Sequence, residues 1–366
     1  SSNVAIGYNA MVTNTTGATN TAIGNESLYS NTTGAENVAV GADALKANTT
    51  GGGNTAIGMF ALDSNTTADN NSAFGNGVLA ANTTGTSNTG VGKNALEANT
   101  TANNNTAVGK NALGANTTGA SNVAVGQEAL AANTTAANNT AVGRVALDAN
   151  TTGTANVAVG TNALGTSTTA SENTAVGNAA LFATTTGADN VGIGASALDS
   201  TTTGGENTAI GHQAGHNLTT GVNNTLLGHE AGTDAVANVV ASNGNIVIGN
   251  NYSASAKIKI DWTVTSDLRD KTEIESVPHG LNFVNQITPI KYRFKTSREN
   301  DTPNGVTRYG FKAQEILALE GENPVLVDNG DTDNLKLTGA YLLPVLVNAI
   351  KELKAENDSL KTRIEN

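Results

Sequence analysis

A mainly β fold, built as a solenoid of seventeen-residue coils and followed by a small α+β domain ending in a coiled-coil helix, is predicted by three observations. An Asn-x-x-(Val/Ile/Leu/Phe)-Gly unit recurs every seventeen residues from Asn3 to Asn224 without a slip. The repeat stops near residue 250, and charge density rises sharply after it. From Ala340 onward, leucine and isoleucine alternate at spacings of three and four.

The repeat carries most of the argument. Each coil has an apolar residue three places after its asparagine (Ile6, Ile23, Val40, Ile57, Phe74 and on to Leu227), followed by glycine. A second apolar anchor comes next (Leu28, Leu45, Leu62, Leu96, Leu113), and then an Asn-Thr-Thr-Gly-like turn. Short β-branched runs punctuated by Gly and Asn predict a strand with tight turns and disfavour a helical repeat. Glycine at a fixed site satisfies a backbone that needs positive φ or close approach, and stacked Asn or Thr side chains can form ladders between coils. One large aliphatic pair per coil contributes roughly 1.5–3 kcal/mol per buried side chain against an ordering cost of about 1–2 kcal/mol per residue. A single thin chain is therefore expected to associate with others. The Asn-Thr-Thr triplets match the N-glycosylation pattern, but their fixed place in the repeat favours a turn.

The array, over roughly residues 3 to 249, resembles the heads of trimeric autotransporter adhesins, which carry Asn-x-Val/Ala-Ile-Gly repeats. That resemblance implies a trimeric parallel β-roll, although the period here is longer and no membrane-anchoring barrel follows. The irregular unit Asn245-Ile246-Val247-Ile248-Gly249 closes the array. At about 4.8 Å per layer, fourteen coils make a stalk on the order of 65 Å.

Composition narrows the function. The chain of 366 residues has no cysteine and a formal charge of -12, which disfavours nucleic acid as a partner and excludes disulfide stabilisation. No apolar run reaches the roughly 20 residues of a membrane span, so no membrane insertion is expected, and Ser1-Ser2-Asn3-Val4 does not open a signal peptide. The chain starts inside a repeat, which predicts further sequence upstream. Regular Thr hydroxyls could serve ice or glycan binding. His212 and His229 should stack in successive coils with His216 nearby, but no carboxylate or cysteine joins them at ligand spacing, so neither metal nor cofactor is assigned. Scattered acids argue against a glycan-cleaving pocket.

Charge divides the chain in two. Residues 257 to 366 hold 15 of 19 Lys and Arg and 17 of 31 Asp and Glu, so the array carries 4 - 14 = -10 and the remainder 15 - 17 = -2. The expected organisation is a repeat solenoid at 1–250, a connector strand at 251–265 and an α+β domain at 266–366, with the coiled coil at 340–366. Lys257-Ile258-Lys259-Ile260-Asp261-Trp262 and Ile290-Lys291-Tyr292-Arg293-Phe294 alternate like strands. Leu343, Leu346, Ile350, Leu353, Asn357, Leu360 and Ile364 form an a/d seam, with Asn357 at an a position where a buried amide sets register or the helix simply frays.

Ser266-Asp267-Leu268-Arg269-Asp270-Lys271 carries the candidate chemistry. It is followed in order by Ile287-x-Pro289-x-x-Tyr292-x-Phe294, Gly310-Phe311-Lys312-Ala313-Gln314-Glu315 and Ala349-Ile350-Lys351-Glu352-Leu353. This ordered set, over about residues 262 to 366, resembles the endosialidase-type intramolecular chaperone found at the C-terminus of phage tail spikes and fibres. The resemblance implies a homotrimer and a domain that drives its assembly, then cuts itself off with Ser266 as nucleophile and Lys271 as its partner. A virion tail fibre with a host-surface glycan or protein receptor is the expected setting; a bacterial surface adhesin, or an ice- or glycan-binding protein, is the alternative. A serine hydroxyl needs a base, and a lysine serves only when burial favours its neutral form. Attack by Ser266 Oγ on the Thr265 carbonyl passes through a five-membered ring, whereas attack on its own carbonyl needs four. Cleavage is expected between Thr265 and Ser266; cleavage between Ser266 and Asp267 stays open if a neighbouring chain attacks or Asp267 participates. Gln314 and Glu315 are candidate supports for the pair, or a packing turn. The oxyanion stabiliser is unassigned.

Overall fold

The structure is a computed structural model that describes residues 2–233, 237–250, 253, 266–295, 298, 300–322, 324–330, 332 and 335–365. The chain forms two compact units, Ser1–Asn251 and Tyr252–Asn366. The segment expected as the connector strand, 251–265, lies outside the described residues apart from Ser253.

The first unit is a parallel β-solenoid. Fifteen three-residue strands run from β1 (Val4–Ile6) to β15 (Ile246–Ile248), and each pairs with its sequence neighbours alone. Register steps by one repeat at every rung, as in Val108↔Val125, until the last step, Thr225↔Ile246, takes up four extra residues. In a strand such as Thr106–Val108 the central alanine points inward and is buried, while both flanking residues face outward. The interior is therefore a column of alanines against the column Leu28, Leu45, Leu62 and onward to Leu198, all fully buried. The Val or Ile that each repeat offers as its other anchor does not share this core: Ile57, Val91, Val108 and Ile210 lie on the outer face. A three-residue strand has one inward position, and a lumen this thin admits Ala opposite Leu.

Tight corners explain the residue choices. The glycine after each of the first fourteen strands has φ between +114° and +140°, as at Gly109 (+136°), where a Cβ would stand 2.4 Å from the Gly126 carbonyl oxygen of the next rung. The leucines of this column, Leu28 to Leu198, are also left-handed, with φ between +50° and +55° at Leu45, Leu96 and Leu113. That conformation costs roughly 1–2 kcal/mol, and full burial of the side chain returns about 1.5–3 kcal/mol; burial wins.

Polar ladders supply what the thin core lacks. In one column the Asn37 backbone N–H donates to Asn20 Oδ1 (2.9 Å), and Asn20 Nδ2 donates to the Gly34 carbonyl (2.8 Å). This ladder runs unbroken to Asn245. In the second column Asn48 Nδ2 donates to Asn31 Oδ1 (2.9 Å), a pattern carried to Asn150 and then interrupted by Ser167 and Thr184. The Asn of the Asn-Thr-Thr turns is thus a buried bracket, and the first Thr donates to the next rung, as Thr32 Oγ1 does to the Thr49 carbonyl (3.0 Å).

In the second unit α1 (Leu281–Gln286) precedes an antiparallel hairpin, β16 (Ile290–Lys295) and β17 (Pro303–Gly310), with a register shift between Tyr292 and Phe294. Next come α2 (Ala313–Glu320) and the short pair β18 (Val327–Asp328) and β19 (Lys336–Leu337). A 3-10 turn, Gly339–Tyr341, leads into α3 (Leu342–Glu365). Phe283, Ile316, Leu326, Val327, Leu342 and Val345 form the core. The start of α3 enters it through Leu342 and Val345, and Ala349 is buried one turn further on. Among the described residues no helix is long and apolar enough to cross a membrane.

Candidate functional site

The Ser266–Lys271 segment folds on itself because Asp267 starts a turn. Its Oδ1 accepts the Arg269 backbone N–H (2.9 Å) at the head of the 3-10 turn Leu268–Asp270, and the Lys271 N–H closes the turn on the Leu268 carbonyl (3.2 Å). Aspartate favours this capping position because its carboxylate satisfies an otherwise free donor. The reversal brings the lysine back over the serine: Lys271 Nζ donates to Ser266 Oγ at 2.8 Å and to the Ser266 carbonyl at 3.3 Å. Both side chains are exposed.

Arg269 does not compete for Ser266. Its Nε donates to both Asp267 oxygens at 3.1 Å and its Nη2 pairs with Oδ2. The Arg269 side chain, then its backbone N–H, hold the Asp267 carboxyl below the ordinary carboxylate range. At neutral pH Asp267 is an acceptor and a brace, with no proton to give. An ammonium has three donors and no lone pair, so the 2.8 Å contact places the right atoms together, while proton abstraction from Ser266 requires the neutral amine. Thr265, whose carbonyl is the expected electrophile, lies outside the described residues.

Gln314 and Glu315 are not joined to this pair. Both begin α2, where Glu315 pairs with Lys312 (2.5 Å) and Gln314 is exposed. Among the described residues neither makes a hydrogen bond or ion pair with Ser266 or Lys271. Three braces, Glu352, Asn348 and Glu320, are not evident from the sequence. Glu352 of α3 accepts the Leu281 N–H at the start of α1 (2.6 Å), and Asn348 Nδ2 donates to the His279 carbonyl (3.0 Å). A Cβ at Gly280 would lie 2.1 Å from Glu352 Oε1, so a larger residue there would have to displace this carboxylate from the Leu281 N–H. Glu320 accepts the N–H groups of Val325, Leu326 and Val327 (2.9, 2.8 and 3.1 Å), fixing the loop after α2. The signal for Glu352 was its place in the Ala349–Leu353 motif.

On α3 the seam residues stand on a stripe that the unit's own core does not cover. Leu343 is 64% exposed, Ile350 66% and Ile364 83%; Leu346, Leu353, Asn357 and Leu360 are exposed on the same stripe. In the solenoid the His212 and His229 rings stack with centroids 5.1 Å apart, while His216 faces Asp199. Among the described residues no group of three or more His, Cys, Asp or Glu is arranged to hold a metal.

Residues 266–325 match the family described as chaperone of endosialidase, and the match opens at Ser266. No curated protein and no solved structure matches the chain.

Proposed function

We propose that this chain, a β-solenoid carrying a chaperone of endosialidase domain, is a homotrimeric tail-fibre rod whose C-terminal unit drives assembly and then releases itself by Ser266–Lys271 autoproteolysis. The observation that carries the reading is the 2.8 Å contact of Lys271 Nζ with Ser266 Oγ at the start of the family match. Support for assembly comes from two uncovered apolar stripes: the α3 seam, and the Val/Ile column on the outer face of the solenoid. Six apolar seam positions at heptad spacing suit a parallel bundle of identical helices, with Asn357 setting register.

In the proposed chemistry, assembly covers Lys271, withdrawal from water favours its neutral amine, and the amine takes the proton of Ser266 Oγ. The oxygen attacks the Thr265 carbonyl carbon, the Thr265–Ser266 C–N bond breaks, and the Ser266 nitrogen receives the proton. Water then hydrolyses the resulting ester. Loss of the chaperone leaves the rod without the unit that assembled it, so its persistence becomes kinetic. Host-surface attachment through a glycan or protein receptor, from a virion, completes the reading.

A second reading, a bacterial surface adhesin or an ice- or glycan-binding protein, is favoured by the second Thr of every turn. Thr33, Thr50, Thr101 and their equivalents make an exposed hydroxyl column. Intact mass and native oligomer size of the wild type, Ser266→Ala and Lys271→Met separate the chaperone claim from mere assembly. The proposal expects a trimeric rod plus a released fragment for the wild type and uncleaved trimers for both variants. Uncleaved wild type, or cleavage in Ser266→Ala, overturns the autoproteolytic step.

A further inference from the structure

The residue directly after each strand-closing glycine occupies one column of the solenoid. Its backbone carbonyl accepts an N–H from the next turn, as in Asn111 to Lys93 (3.0 Å), Glu128 to Lys110 (2.9 Å) and Val145 to Gln127 (3.0 Å), so Lys93, Lys110, Gln127 and Arg144 stack rung on rung. The stacked histidines of the same column, 5.1 Å apart, measure the step.

The solenoid has four cations in all, Lys46, Lys93, Lys110 and Arg144, and three of them stand in this column. All three are exposed, and none forms an ion pair with a described residue. Lys46, in another column, is held by Glu26 (2.6 Å) and Asp43 (3.0 Å). Acids do occur in the same turns: Glu97, Asp148, and Glu128, which accepts from Gln127 Nε2 at 3.2 Å. None of them neutralises the column. Lys93 and Lys110 stand on adjacent rungs and Arg144 one rung beyond Gln127; like charges stacked this closely repel, so folding gives no reason to collect the unit's unpaired cations in one column. In the same column, two turns before Lys93, stands Met59 (47% exposed), beside Phe60 (41% exposed). Phe60 takes the left-handed backbone of its repeat position (φ +60°, as at Asn94, +59°, and Asn111, +58°), where most coils carry a polar or small residue.

We infer that this column is a binding strip for an anionic polysaccharide, with acidic groups of successive sugars facing Lys93, Lys110 and Arg144 and a sugar face lying over Met59 and Phe60. Three rungs separate Lys93 from Arg144, about 14 Å, a span that suits a polymer with recurring charge better than a small anion. The net charge of -10 in the repeat array works against every polyanion, so attraction must come locally from the three unpaired cations and fall with salt. The inference rests on the surface-attachment part of the proposed function and is independent of self-cleavage.

The test uses the full chain against three immobilised probes, dextran sulfate, polygalacturonate and uncharged dextran, at low and at physiological salt. The wild type is expected to bind at least one polyanion, more weakly with salt, and to ignore dextran. Polygalacturonate binding alone assigns carboxylates as the ligand groups, and dextran sulfate binding alone assigns sulfates. Lys93→Gln/Lys110→Gln/Arg144→Gln should weaken binding by about tenfold or more. Lys110→Gln alone should weaken it, while Lys46→Gln, which removes the same charge elsewhere, should not. No polyanion binding by the wild type, equal binding by the triple variant with unchanged circular dichroism, or equal losses in Lys46→Gln and Lys110→Gln would each overturn the strip. Binding to charged and uncharged dextran alike would overturn it while leaving attachment in place, and native mass on the same samples reports assembly and cleavage separately.

Discussion

Asn122 tests whether amide ladders, more than aliphatic burial, hold neighbouring rungs together. Its Oδ1 accepts the Asn139 backbone N–H (2.9 Å), and its Nδ2 donates to the Ala136 carbonyl (2.9 Å). Asn122→Ala removes both bonds in a fully buried setting. The Ala136 carbonyl keeps a second donor, Asn133 Nδ2 at 3.0 Å, so its loss is partial. The Asn139 N–H is left buried and unpaired, which costs about 1–3 kcal/mol, and the missing bond to Ala136 adds about 0.5–1 kcal/mol. A total of about 2–4 kcal/mol multiplies local opening by roughly 30- to 1000-fold. Because each rung touches only its neighbours, the effect should be confined to the turns flanking the site. Amide hydrogen exchange across residues 105–156 reads it directly. Thr118→Ala, an exposed position in the same coil, should stay within about 0.5 kcal/mol of the wild type. Equal protection in both variants would refute the ladder argument.

Three further outcomes follow from the same rungs. Ser167 Oγ and Thr184 Oγ1 are buried with no hydrogen-bond partner among the described residues, where the second ladder breaks. Ser167→Asn should extend that ladder to Asn150 and raise stability by about 1 kcal/mol; an unchanged or lower melting temperature would count against it. Gly109→Ala combines a left-handed backbone with a contact of 2.4 Å to the next rung, and should cost about 3 kcal/mol or more and open a protease site there; resistance to proteolysis equal to wild type would contradict it. Burial pushes the Asp148 carboxyl up, with the nearby Glu128 charge a smaller cause in the same direction. A raised folded-state pKa means that the ionised form is penalised on folding, so the penalty is absent well below the ordinary carboxylate range and grows as pH rises through it. Asp148→Asn should therefore melt higher than the wild type at neutral pH and equally at acid pH, which paired thermal scans would show.

Much of this was open to view in the repeat. Asn, Gly and Leu recur at fixed phase because each meets a requirement that every rung imposes again: a bracket, a corner and a core. Two features were hidden. The outward direction of the Val/Ile column follows from a strand with one inward residue, and a Thr-Ala-Val triplet by itself does not say which side faces in. The left-handed leucines run against local preference and stand only because stacking buries them. At the candidate site, Ser266 and Lys271 came into view through the resemblance carried by the ordered motifs, and one short turn brings their side chains together. Glu352 with Leu281, and Asn348 with His279, lie 71 and 69 residues apart, and no local pattern announces such pairs.

The central claim is that self-cleavage depends on assembly. Lys271 is exposed in the single chain, so the account requires neighbouring chains to withdraw it from water. Leu346→Lys/Ile350→Lys/Leu353→Lys breaks the α3 seam without touching Ser266, Lys271 or the buried positions Leu342, Val345 and Ala349. Intact mass measured beside native oligomer size decides the matter. The account predicts an uncleaved monomer, with the wild type trimeric and cut at Ser266; a seam-broken monomer that still cuts itself at that position would contradict it.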